Sequence, residues 1–148
     1  MALGTCVDLI TAKGTKFYIG DDVIGGVGLA YTEVGMIESF GEFGPDAAVG
    51  SFTPIGTGLA GKYLGTSDNG ELSLVIGKTS TDTGLEELIA AQKLTTPLAY
   101  KIELSDAGTD TYTFNGFCKS VRVTVGSGND VVKINAAIAI TGAITETT

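Results

Sequence analysis

The amino-acid sequence predicts a mainly β protein: an antiparallel β-sandwich or open barrel with one flanking α-helix and a long loop. Apolar and polar residues alternate with a period of two over several runs, most clearly within residues 98–142. Glycine is abundant, at 22 of 148 residues, which is typical of tight turns and bulges. Clear helical periodicity is confined to about 84–94. The length favours one domain, so we expect residues 1–148 to fold as a single unit, with 1–15 as an N-terminal arm.

Residues 98–142 predict a three-stranded antiparallel meander. The first strand alternates Leu98, Tyr100 and Ile102 with small or polar neighbours, the pattern of a strand with one buried face. Residues 105–110 and 126–130 are rich in turn-forming residues and separate the strands. The last strand repeats the alternation through a run of aliphatic side chains: Val132, Ile134, Ala136, Ile138 and Ile140.

The middle strand of this meander changes phase at Asn115 and Gly116. Tyr112 and Phe114 share one face before this point, whereas the apolar residues after it have the other parity: Phe117, Val121, Val123 and Val125. A β-bulge within one long strand and a type I′ turn between two strands both account for the change. We favour the bulge, because a turn would leave both flanking strands short.

Strands are also predicted at residues 16–20, 34–40 and 71–78. The third has the clearest alternation, with one apolar face formed by Leu72, Leu74 and Ile76.

One helix is predicted at about 84–94. Thr83 and Glu86 match a capping box, in which the Thr83 hydroxyl accepts from the Glu86 amide. Pro97 prevents much continuation of the helix. The spacing predicts one apolar stripe formed by Leu85, Leu88, Ile89 and Leu94. We expect the first three of these residues to lie in the core.

Residues 41–70 predict a long loop with an unusual composition. The segment is rich in glycine, contains two of the three prolines, and has no long periodic run. It nevertheless carries many apolar side chains, which favours packing against another chain. It could instead fold back on its own sheet or conceal a pair of short strands. We predict a subunit interface formed by four of its residues: Phe52, Ile55, Leu59 and Tyr63.

The sequence points to no catalytic, cofactor-binding or metal-binding residue. It contains no histidine, which removes the commonest general base and metal ligand. Residues 56–62 match a glycine-rich phosphate-binding pattern, but Pro54 breaks the segment before them, and Gly65 and Gly70 disfavour a helix after them. The acidic carboxylates lack the spacing of a calcium loop. We therefore expect neither an enzyme nor a metalloprotein.

Charge and cysteine content narrow the class further. The net charge of −8 repels phosphates at long range and disfavours nucleic-acid binding. Cys6 and Cys118 do not make a disulfide framework, and Cys118 is predicted to be a buried free thiol. No secretory signal pattern and no apolar run of membrane-spanning length is present.

Three segments carry a resemblance to a known family. Residues 99–103 (AYKIE), 113–117 (TFNGF) and 131–135 (VVKIN), with the loop and helix in matching order, resemble the major tail tube proteins of long-tailed, lambda-like bacteriophages. The resemblance covers roughly residues 34–142.

The resemblance implies a structural virion protein. Members of that family are sandwiches with a flanking helix, and they form hexameric rings that stack into a hollow tail tube. Their strands close a barrel around a lumen through which DNA passes into the host without specific binding. The implied partners are further copies of the chain and other tail proteins at the tube ends, with no membrane. The implied location is the virion tail, assembled in the host cytoplasm.

Two other classes remain open. The tube protein of a contractile secretion system would have the same architecture with an effector cargo. A β-sandwich module could bind carbohydrate or decorate a capsid, although the chain has no tryptophan for a sugar-binding platform. An enzyme is the least supported class.

Overall fold

The computed structural model describes residues 9–105 and 110–147. The mainly β fold with one flanking helix is confirmed. Cys6 and most of the predicted turn at 105–110 lie outside the described residues. Within those residues the order of elements is β1 (Lys16–Gly20), β2 (Tyr31–Val34), β3 (Ile37–Phe40), β4 (Asp46–Phe52), β5 (Gly61–Asp68), β6 (Glu71–Gly77), α1 (Thr83–Ala91), β7 (Leu98–Glu103), β8 (Thr111–Thr124) and β9 (Lys133–Thr147).

Seven strands form one hydrogen-bonded sheet in the order β2-β1-β7-β8-β9-β6-β3. All of its pairings are antiparallel. The remaining two strands, β4 and β5, pair only with each other. The predicted strands at 16–20, 71–78 and 98–104 are therefore confirmed to within a residue.

The seven-stranded sheet divides into two halves that share β8 and β9. Sheet I contains β2, β1, β7, residues 111–116 of β8 and residues 141–147 of β9. Sheet II contains residues 117–124 of β8, residues 133–140 of β9, β6 and β3. Phe17 of sheet I contacts Phe40 of sheet II, with ring centroids 6.3 Å apart. The halves therefore face each other across a core, as in a sandwich whose strands pass from one sheet to the other.

The bulge predicted in β8 is present. The strand runs without interruption through Asn115 and Gly116, and its register against β9 shifts between Thr113 and Asn115 and again between Cys118 and Ser120. Such shifts bend a strand, and here they lie where it passes between the two sheets.

The predicted change of buried face at Gly116 is wrong. Gly116 stays on the inner face, where an added Cβ would lie 2.8 Å from the Ala139 carbonyl oxygen. Cys118 is buried, whereas Phe117 is 37% exposed. Val123 and Val125 are also exposed. The phase instead changes at the second register shift, after Cys118.

The predicted strand at 34–40 is two short strands at opposite edges of the sheet. Met36 adopts a φ of 57°, which an extended strand does not allow, so the chain turns a corner between β2 and β3. Asp82 holds this corner, because one of its carboxylate oxygens accepts from the Gly35 amide at 3.1 Å.

The other carboxylate oxygen of Asp82 caps the helix. It accepts from the Leu85 amide at 3.2 Å, so the N-cap is Asp82 and the predicted Thr83 capping box is wrong by one residue. The helix packs closely against β2, because an added Cβ at Gly84 would lie 2.2 Å from the Glu33 carbonyl oxygen. It ends at Ala91 instead of about 94, and Leu94 is exposed.

The inner face of the helix is formed by Leu85, Leu88 and Ala91. Ile89 is 36% exposed, so its predicted place in the core is wrong. After Leu88 the next inward-facing residue is Ala91, so the buried stripe on the helix is narrower than predicted.

An aromatic stack forms the centre of the core. Tyr100 lies between Phe17 and Phe114, with ring centroids 5.8 and 5.9 Å away. Aliphatic side chains from both sheets surround it, and the fully buried ones are Ile19, Leu72, Leu74, Ile76, Leu88, Ile102, Ile134 and Ile138. Its hydroxyl is buried and finds no hydrogen-bond partner among the described residues. Burial raises the pKa of Tyr100 well above its ordinary value.

Replacing Leu88 by Ala should lower the free energy of unfolding by about 2–5 kcal/mol, because a fully buried side chain leaves a cavity. Urea unfolding followed by circular dichroism measures the change. The control is Ile89→Ala on the same helix, which should cost clearly less. Equal losses for the two variants would contradict the helix orientation.

Replacing Tyr100 by Phe should leave the free energy of unfolding unchanged or raise it by up to about 1–3 kcal/mol, because the change removes an unpaired buried hydroxyl. The variant should also be less sensitive to alkali. Tyrosine ionises near pH 10 in the unfolded chain and later in the folded one, so the wild type loses stability as the pH rises above about 10. Urea titrations between pH 8 and pH 11 test this, and parallel profiles for the two proteins would contradict it.

Candidate self-association surface

Residues 41–70 contain a β-hairpin, so the long loop expected from composition is in fact the concealed pair of strands. β4 and β5 pair from Asp46 opposite Asp68 to Phe52 opposite Gly61. A register shift after Ala47 interrupts the alternation that would have revealed the strands in the sequence. Residues 53–60 form the tip of the hairpin.

The hairpin stands apart from the core. Neither of its strands hydrogen-bonds to another strand within the described chain. All residues of β5 are exposed, and β4 contains no buried residue. The pair is therefore held by its own ladder and by its two connections to sheet II.

All four residues predicted as an interface lie on this hairpin and are exposed. Phe52 is 69% exposed and Tyr63 is 60% exposed on the strands, while Ile55 and Leu59 at the tip are 103% and 76% exposed. The structure thus brings them to one projecting element. Their role in contacts between copies stays a prediction.

Apolar side chains cover both faces of the hairpin. On one face Tyr63 lies across Gly50, where an added Cβ would be 2.3 Å from the tyrosine ring. On the other face Val49 lies opposite Leu64, and both are more than half exposed. Sequence reasoning did not assign these two to the interface, because only the strand register places them side by side. Contiguous exposed apolar surface is a general feature of protein–protein interaction sites.

The base of the hairpin is acidic. Glu42, Asp46, Asp68 and Glu71 line an open cavity of about 530 Å³. Glu71 is paired with Lys119 at 2.8 Å. The described residues contain no group of three side chains placed to hold a metal ion.

The glycine-rich pattern at residues 56–62 has no phosphate-binding geometry. It occupies the hairpin tip and the start of β5, and no helix follows it, so no helix N-terminus is available for a phosphate.

Cys118 is the buried free thiol that the sequence predicted. Burial raises its pKa to about 11, so it is protonated at neutral pH and unsuited to nucleophilic chemistry. No helix in the described part of the chain is both long and apolar enough to span a bilayer.

Comparison with known proteins identifies the fold. No family model matches the chain, and no curated protein matches its sequence. Among solved structures, the chain is similar to one in the cryo-EM structure of the sheath/tube terminator of the extracellular contractile injection system PVC in its extended state. The TM-score is 0.72 at 18% identity, over 99% of this chain and 100% of the other. The chain has a tail-tube-like fold.

Two further tube structures from tailed particles share this fold. One is the tail of an empty gene transfer agent particle, with a TM-score of 0.64 at 16% identity over 99% of this chain and 100% of the other. The other is the SPP1 tail tube, with a TM-score of 0.63 at 11% identity over 93% of this chain and 78% of the other. These neighbours are structural tube proteins and not enzymes. They span phage tails and a contractile injection system, so the fold does not single out the lambda-like tail proteins that the sequence resembles.

Replacing Ile55 and Leu59 together by Asp should change the free energy of unfolding by less than about 0.5 kcal/mol, because neither side chain is buried in the subunit. Urea unfolding measures this. A loss comparable to that of Leu88→Ala would show that the hairpin tip packs on its own core.

Proposed function

We propose that this chain is the single-domain structural subunit of a tail tube, which associates with itself into stacked hexameric rings. The observation that carries the proposal is the β4–β5 hairpin, whose apolar side chains are not covered by any other part of the described chain. The fold supports it, because similar chains occur in assembled tubes. One of these neighbours, the gene transfer agent tail, was refined with C6 symmetry.

The hairpin contacts are proposed to include Phe52, Ile55, Leu59 and Tyr63, together with Val49 and Leu64. Burying these side chains against a second copy would contribute roughly 25 cal/mol for each Å² of apolar surface covered. A projecting element that is apolar on both faces requires a neighbour on each side, and a stacked assembly supplies both.

We further propose that the tube belongs to a phage tail, is assembled in the host cytoplasm with other tail proteins at its ends, binds no membrane, and conducts DNA. Six copies at −8 each give a ring about −48, a charge that repels a passing nucleic acid. The second candidate is the tube of a contractile injection system. The TM-score of 0.72 to the PVC structure favours it, and it would carry a cargo other than a genome.

The Ile55→Asp/Leu59→Asp variant should remain a folded monomer that forms no rings or tubes, because charge replaces the apolar contact. Negative-stain electron microscopy and sedimentation velocity of the purified proteins provide the measurement. The matched control is Val27→Asp/Leu94→Asp, which adds the same charge at exposed apolar positions away from the hairpin and should still assemble.

If the hairpin variant still formed tubes, the hairpin would not be part of the contact between copies. A wild-type protein that stays monomeric at every concentration would overturn the proposed function itself.

A further inference from the structure

The β4–β5 hairpin is joined to the sandwich at its base. Within the described chain, neither of its strands pairs with a strand of the sandwich, and every residue of β5 is exposed. Two short connections carry the hairpin. The first connection (residues 41–45) leads from β3 into β4, and the second connection (residues 69–70) leads from β5 into β6. The direction in which the hairpin projects therefore depends on the contacts that these two connections make.

The first connection is held by an aromatic side chain and by a backbone hydrogen bond. The Phe43 ring centroid lies 5.5 Å from that of Tyr112 and 6.2 Å from that of Phe114, both in β8. The Gly41 amide donates to the Ser73 carbonyl of β6 at 2.6 Å. This connection is thereby fixed against both sheets.

The second connection is held against β9. The side-chain amide of Asn69 donates to the carbonyl oxygen of Gly142. The carbonyl of Gly70 accepts from the Ile140 amide at 3.0 Å. Asp68 closes the turn, because its carboxylate accepts from the Gly70 amide at 3.1 Å. Asn69 is therefore the residue whose side chain ties the end of the hairpin to the sandwich.

Asn69 also joins the two connections to each other. Its backbone carbonyl accepts from the Gly44 amide of the first connection at 3.4 Å. Its partner in β9, Gly142, has a φ of 79°, a left-handed conformation that favours glycine. Gly142 lies at the first register shift of the β8–β9 ladder, where β9 passes from sheet II to sheet I. One side chain thus links both connections to the bend of the ladder.

The length of the hairpin magnifies any change of angle at its base. β4 has seven residues, so the paired strands extend roughly 20 Å at about 3.3 Å per residue. A rotation of about 10° at the base would therefore move the far end of the strands by roughly 3–4 Å. Apolar side chains lose contact once their surfaces separate by about 1 Å. The angle of the hairpin thus decides whether its apolar side chains meet a partner surface.

We propose that Asn69 is the positioning residue of the hairpin. Its side-chain amide, bonded to the Gly142 carbonyl, fixes the angle at which the hairpin presents its apolar side chains to a second copy of the chain. The bond lies in an exposed position, so its loss costs the subunit little stability. Its effect appears in assembly instead. This inference rests on the proposed function, because the partner of the hairpin is a second copy.

The first test measures the hairpin angle in the monomer. In a Cys6→Ser background, spin labels at Ser51→Cys on β4 and Glu86→Cys on the helix report the distance from the hairpin to the sandwich, and the buried Cys118 stays unlabelled. Pulsed electron paramagnetic resonance, below the concentration at which tubes form, should give one narrow distance distribution. In the Asn69→Ala variant the distribution should be about twofold broader or more, because the base has lost a restraint.

The second test measures assembly. Asn69→Ala should raise the critical concentration for assembly about tenfold or more, because the hairpin must then be ordered on binding. It should lower the melting temperature by less than about 5 °C, because a single exposed hydrogen bond is lost. Asn69→Asp keeps the size of the side chain but removes the donor, and should behave as Asn69→Ala does. Sedimentation velocity and electron microscopy measure assembly, and circular dichroism measures melting.

Asn135→Ala is the matched control. Asn135 is also exposed, and its side-chain amide donates to the Thr124 hydroxyl at 3.0 Å within the ladder of sheet II. This variant loses a comparable hydrogen bond away from the hairpin base. It should keep the narrow distance distribution and assemble as the wild type does.

The outcomes separate this role from the proposed function. An unchanged distance distribution in Asn69→Ala would overturn the positioning role, whether or not the wild type forms tubes. Normal assembly of Asn69→Ala despite a broader distribution would also overturn it and leave the tube subunit standing. A loss of melting temperature as large as that of Leu88→Ala would make Asn69 a residue of the fold instead. A wild type that stays monomeric would overturn the proposed function, and the distance distributions would still decide whether Asn69 fixes the hairpin.

Discussion

The long antiparallel ladder between β8 and β9 is the constraint on which the rest of the structure depends. The two strands are 14 and 15 residues long, and each belongs to both sheets. β7 pairs with one part of the ladder and β6 with the other, and the outer strands attach through these two. The bends produced by its register shifts fold the halves face to face, so the aromatic stack around Tyr100 exists because the ladder turns where it does.

The core around this ladder is closed within the subunit, whereas the surface of the β4–β5 hairpin is not covered. The helix and side chains from both sheets close the core. The β4–β5 hairpin, in contrast, has apolar side chains exposed to solvent on both of its faces. The described residues contain no catalytic constellation, and their most perturbed groups, Cys118 and Tyr100, are neutral members of the core. Within the described residues the exposed hairpin is therefore the strongest candidate for a functional surface.

Local patterns predicted the parts of the fold that are buried on one face. β6, β7 and β9 alternate because one side meets the core, and Leu85 and Leu88 follow the helical period for the same reason. The corner at Met36 was missed, since a positive φ at a residue other than glycine leaves no mark in the sequence.

The sequence predicted only part of the candidate surface. Composition singled out Phe52, Ile55, Leu59 and Tyr63 as apolar residues of a glycine-rich segment, and all four are exposed. The hairpin that carries them was predicted only as an alternative, because strands exposed on both faces have no period of burial to detect. Val49 and Leu64 become a pair only through their register, which is a tertiary fact.

Asp82 links the helix to the corner between β2 and β3, which bears on the proposed tube. Its two carboxylate oxygens hold the start of the helix and the amide of Gly35, so a displacement of the helix is transmitted to the short strand that follows Met36. The Asp82 carboxylate therefore couples the position of the helix to that of the edge strand β3. In the tube proposed above, a displacement of the helix would therefore reach the edge strand β3 partly through the Asp82 carboxylate.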